Sequence, residues 1–139
     1  IAKTGLDVWK RETERNYNCH EYFSIETGKG KGWHQFSGLS TPVMSWFNAY
    51  YKTGNITTGY DVWIEKKNFN RDHSELSATL KVLEHKSDLF SLIVCLNPEF
   101  KYDVYWNDNK INYKELNNGT LSITIESNES EGSLKVNKK

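Results

Sequence analysis

The clearest periodicity lies in the second half of the chain. In HSELSATLKVLEH, Leu76, Ala78, Leu80 and Val82 alternate with Ser77, Thr79 and Lys81, the period of two expected of a half-buried strand. DLFSLIVCLNP places Phe90, Leu92, Val94 and Leu96 on one face and is ended by Asn97-Pro98. KYDVYW then turns through Asn107-Asp108-Asn109-Lys110 into INYKEL, and Asn118-Gly119 turns into TLSITIES, which reads as consecutive hairpins. Tyr60 to Lys66 is the expected first strand and Ser133 to Val136 the last. Roughly six to eight short strands with closely spaced turn signals predict an antiparallel β-sandwich.

Before Gly54 the pattern is helical. Asp7 to Asn16, DVWKRETERN, consists of good helix formers with a short apolar face. A second helix has stronger signals: Ser40-Thr41-Pro42 supplies a capping hydroxyl and a first-turn proline, and Gly54 a stop. Between them Val43, Met44, Trp46, Phe47, Tyr50 and Tyr51 cover a broad apolar arc that must pack against something. The fold class expected is therefore α+β, with a short helical segment over 1–54 and a sandwich over 55–139. Two helices with one broad aromatic face cannot close a helical domain, so they either lie on the sandwich or are the remnant of a larger helical body.

Composition narrows the partners. The 139 residues carry no net charge, so the chain lacks the basic footprint of a nucleic-acid or anionic-membrane binder, and neither partner is expected. No apolar run approaches the ~20 residues that span a bilayer. The N-terminus, IAKTGLDVWK, lacks a signal-peptide core and a Met, which reads as a processed or trimmed start. Two cysteines, Cys19 and Cys95, are too few for a disulfide scaffold; buried thiols are the first expectation and a single bridge the second. The aromatic content of 14% leans toward stacking on sugar rings. Asn-x-Ser/Thr triplets at Asn55, Asn118 and Asn128 are as many as so Asn-rich a chain gives by chance. The compartment stays open, with a periplasmic or secreted one favoured.

Candidate chemistry gathers in His20 to Phe36, HEYFSIETGKGKGWHQF. Gly28, Gly30 and Gly32 alternate with lysines, but a phosphate loop needs its glycines directly before a helix, and the next helix begins only near Pro42. These glycines are read as serving to turn the chain. Cys19, His20 and His34 with a carboxylate match no compact metal-ligand spacing, so no metal and no cofactor is expected. Cys19 beside His20 makes a poor nucleophile and base, because neighbours on an extended chain point apart.

Glu21-Tyr22-Phe23-Ser24-Ile25-Glu26-Thr27-Gly28, followed by a Gly-rich link and a Phe36-containing segment leading to a helix, resembles the C-terminal end of the helical barrel in inverting glycosidases. These are the trehalases, family-63 type α-glucosidases and mannosylglycerate hydrolase-like enzymes, whose motif runs roughly Glu-Asn-Tyr-Asn-Pro-x-Thr-Gly, then Phe-x-Trp. Glu21 and Gly28 keep the spacing; Tyr22-Phe23-Ser24 replaces Asn-Tyr-Asn, Ile25 the proline, and Gly38 the tryptophan. The resemblance covers about residues 5 to 55 and implies that Glu21 is the catalytic base. The sheet that follows is similar to the C-terminal sandwich of other barrel glycosidases.

Such an enzyme needs a protonated carboxyl for the leaving oxygen and an ionised one, about 6.5–9.5 Å away, to activate water. Under this reading hydrogen bonds beside His20 and Tyr22 hold Glu21 ionised, while Tyr22, Trp33, His34 and Gln35 bind the sugar and Glu26 stays in solvent. The acid, an aspartate upstream in the relatives, has no counterpart here, since no motif recommends Asp7, Asp61 or Asp72. The expectation is the C-terminal portion of a glycoside hydrolase, inactive alone, with the remainder of the enzyme or another chain packing on the aromatic helix. The alternatives are a carbohydrate-binding sandwich module with Tyr102, Tyr105, Trp106 and Tyr113 as platform, although cross-strand packing is the first expectation for these four side chains, and a structural domain whose helix Thr41 to Tyr51 packs on a partner.

Overall fold

A computed structural model describes residues 2–16, 19–34, 40–59, 61–83, 89–126 and 129–139. They divide into two units, Ile1–Tyr50 and Tyr51–Lys139. The first holds helix α1 (Ala2–Asn16), strands β1 (His20–Phe23) and β2 (Gly30–His34), and helix α2 (Ser40–Tyr50). Helix α1 begins five residues before the expected Asp7 and includes Gly5, a position that costs about 1 kcal/mol relative to Ala in a helix. Packing explains it: a Cβ on Gly5 would lie 2.7 Å from the Trp46 ring, so glycine lets α1 and α2 approach closely. The stretch whose glycines are expected only to turn the chain pairs as an antiparallel hairpin.

Helix α2 stops at Tyr50, short of Gly54. Gly54, with φ of 77°, instead makes the turn into the next strand, where its N–H donates to the Cys95 carbonyl at 2.8 Å. The apolar arc of α2 is only partly covered, for Val43 is buried while Met44 is 58% and Phe47 46% exposed. The capping side chains expected of Ser40 and Thr41 lie outside the described ones, as do Gln35, Phe36, Gly38, Tyr60 and Asn128.

The second unit is mostly antiparallel sheet. Its strands are β3 (Asn55–Thr58), β4 (Val62–Phe69), β5 (Leu76–Val82), β6 (Leu89–Cys95), β7 (Tyr102–Trp106), β8 (Asn109–Ile111), β9 (Tyr113–Asn117), β10 (Thr120–Glu126) and β11 (Glu131–Lys138). They form one sheet ordered β3-β6-β10-β9 and another ordered β4-β5-β11-β7-β8. The described residues thus give nine strands here, more than the six to eight expected. Two differences account for this. Asn55–Thr58, rather than Tyr60 to Lys66, is the first strand, and INYKEL breaks at Asn112, so that β8 pairs with β7 in one sheet and β9 with β10 in the other. The expected hairpins form as β7-β8 and β9-β10, and β5 and β6 fall in different sheets.

Side chains from both sheets form one core. Leu92, Val94, Leu121 and Ile123 from one meet Leu80, Val104, Leu134 and Val136 from the other. Each such side chain contributes about 1.5–3 kcal/mol of hydrophobic stabilisation when fully buried. Trp106 fits because Gly132 faces it: a Cβ there would stand 2.0 Å from the indole. Tyr102 is buried, and burial, then the nearby Asp72 charge, pushes its phenol up to about 12. It therefore stays protonated as the donor to the Asn97 carbonyl. On edge strand β4, a bulge makes Glu65 the extra residue and leaves Lys66 opposite Thr79 and Lys67 opposite Ala78. Bulges and lysines of this kind keep an edge from pairing with other chains.

Candidate functional site

The β1-β2 register pairs His20 with His34, Tyr22 with Lys31 and Phe23 with Gly30, leaving Gly32 and Trp33 opposite Glu21. This is a two-against-one bulge, and its first position is the left-handed conformation that glycine adopts without a Cβ penalty; Gly32 has φ of 78°. The bulge brings the Trp33 N–H to Glu21, donating to Oε2 at 3.3 Å. Gly28, also left-handed, closes the turn with its N–H on the Ser24 carbonyl at 2.7 Å. Gly30 has a third role, since a Cβ there would lie 1.9 Å from the His20 ring. The glycines thus do three separate jobs, not the single turning role expected.

Four of the five residues expected at a sugar site share this hairpin. Glu21, Tyr22, Trp33 and His34 are all exposed, Trp33 at 74%, while Gln35 falls outside the described residues. Glu26 is exposed in the turn. His20 is buried, its ring centroid 5.4 Å from that of His34 and 6.4 Å from that of Phe23. The hydrogen bond on the Glu21 carboxylate thus comes from the Trp33 amide across the hairpin.

Glu12 was not anticipated. It is 3% exposed on α1, accepting the Gly30 N–H at 3.0 Å and facing Arg15 at 3.5 Å. The Gly30 hydrogen bond, with smaller help from Arg15 and Arg11, holds its carboxyl below the ordinary carboxylate range. A signal existed, because Glu12 stands four residues after Val8 and three after Trp9, on the helix's apolar stripe. The carboxylate thereby ties the hairpin to the helix.

A groove of about 710 Å³ in this unit is lined by Val8, Trp9, Phe23, Ile25, Val43 and Trp46 among others, and by none of the expected sugar-site residues. Its walls are largely apolar, and the Trp9 indole nitrogen is buried with no hydrogen-bond partner among the described residues.

In the second unit three of the four platform candidates pack in or against the core, as cross-strand packing requires. Tyr102 and Trp106 are 1% and 7% exposed in the core, and Tyr113 packs against that core while its hydroxyl donates to the Tyr102 carbonyl at 2.9 Å. They point inward because hydrophobic alternation assigns Tyr102, Val104 and Trp106 to one face; Tyr105 alone of the four lies on the opposite one. Both cysteines are free thiols: Cys95 is buried, its pKa raised by burial, and Cys19 is half-buried. Among the described residues no three His, Cys, Asp or Glu side chains form a group able to hold a metal ion, and no helix is long and apolar enough to cross a membrane. No protein-family model matches the chain, and neither does any curated protein.

Proposed function

We propose that the chain is the C-terminal portion of an inverting glycoside hydrolase, its first unit carrying the last helices of an α/α barrel and its general base, Glu21. The observation that supports this reading is the hairpin itself. It sets an exposed carboxylate in the same short hairpin as exposed Tyr22, Trp33 and His34, with the Trp33 N–H donating to its Oε2. An ionised Glu21 takes a proton from water attacking the sugar, while Trp33 and Tyr22 stack on the ring and His34 bonds its hydroxyls. The acid belongs to the opposite wall, on the remainder of the enzyme or another chain. The exposed Met44 and Phe47 on α2 are the surface on which that body packs.

The test is hydrolysis of aryl glycosides, with the released anomer read by NMR, by this chain alone and by the longer natural polypeptide that carries it. The chain alone should show no turnover, and the longer polypeptide should invert configuration. Glu21→Gln in the latter should lower kcat by about 10²–10⁴-fold. Retention of configuration, or an unchanged rate in that variant, overturns the assignment.

A further inference from the structure

The outward face of the five-stranded sheet carries a second, differently built surface. Register aligns Asn68 of β4, Ser77 of β5, Lys135 of β11 and Tyr105 of β7 in one row across four strands. At about 4.8 Å between strands, the row spans ~14 Å. Beside it Asn137 pairs with Asp103, and the Asn70 N–H donates to the Glu75 carbonyl at 3.3 Å. Between these positions lies a groove of about 210 Å³ lined by Asn68, Asn70, Glu75, Ser77, Lys135 and Asn137.

Its chemistry is specific in three ways. Amides and a hydroxyl offer donors and acceptors together, as a ligand rich in hydroxyl groups requires. Charge is balanced, for Glu75 and Lys135 contribute one each, Lys135 Nζ lies 2.6 Å from Asp108, and Asp103 at the rim is held by Lys110 at 2.8 Å and Lys139 at 3.3 Å. The groove and its rim therefore carry no net charge. At the end of the row, the Tyr105 ring is half-exposed and suited to stacking on an apolar ring face.

We propose that this face binds a neutral oligosaccharide laid across the strands, with Asn68, Ser77, Lys135 and Asn137 bonding its hydroxyls and Tyr105 stacking on one ring. The site is separate from the Glu21 hairpin and does not depend on it. The test is an array of neutral and acidic glycans probed with the intact chain, followed by calorimetric titration with the best-bound glycan. A neutral glycan should bind. Asn68→Ala with Asn137→Ala, and separately Tyr105→Ala, should each weaken it at least tenfold with the urea midpoint unchanged, while Ser91→Ala, at an exposed position of the other sheet, binds as the parent does. Absence of any binding, binding of acidic glycans alone, or full binding by the Asn68/Asn137 variant overturns the proposal. Loss through Trp33→Ala with the sandwich variants unaffected also overturns it, and assigns the glycan to the hairpin.

Discussion

Glu12 occupies a position on α1 where an apolar residue would ordinarily be buried, and its charge is retained because the Gly30 amide and Arg15 meet it. Burying an ionised carboxylate without such partners would cost far more than the packing returns. Because the folded-state pKa is depressed, the contribution of Glu12 is present above its ordinary value of 4.5 and is lost as pH falls through the lower folded value. The Gly30 amide resonance should therefore shift in step with this titration below about pH 4.5, and in Glu12→Gln that dependence should vanish. An unchanged Gly30 titration in the variant would mean that the amide senses another acid.

At the scale of elements, turns decide what the alternating pattern leaves open. Gly119 joins β9 to β10 with φ of 73°, and a Cβ there would stand 2.5 Å from the Leu96 carbonyl oxygen. That obstacle is backbone, itself bonded as the Gly119 carbonyl accepts the Leu96 N–H at 2.8 Å, so it cannot yield as a flexible side chain would. Gly119→Ala should cost about 1–3 kcal/mol, read as a lower urea midpoint with an unchanged slope. The break at Asn112 shows the same logic. INYKEL alternates as one strand, yet Ile111 belongs to β8 and Tyr113 to β9, and both pack on the shared core because the chain crosses between sheets there.

For the molecule as a whole, the hydrophobic cluster lies entirely within residues 51–139. A polypeptide of these residues should unfold in one cooperative urea transition, and Leu134→Ala, at a side chain 0% exposed, should lower its stability by about 2–5 kcal/mol. A gradual transition would show that the sandwich depends on residues 1–50. The first unit, by contrast, has few buried apolar side chains among its described residues, chiefly Leu6 and Val43, and relies more on the Glu12 tie. So small a unit with so little core is marginal without further cover.

The alternation of Leu76 to Val82 and of Phe90 to Leu96, and the Asn118-Gly119 turn, are local properties, so the sequence by itself determined that these segments are strands and which faces they bury. It also marked Glu21, Tyr22, Trp33 and His34 as a group, since pairing in one short hairpin keeps close sequence neighbours close in space. Only the tertiary structure decided the rest. Sheet membership depends on long-range pairing, so β8 and β9 separate although their pattern is continuous. The burial of Glu12 against Gly30 and the row from Asn68 to Tyr105 join residues 9 to 58 positions apart, and no local period encodes which strands or helices meet.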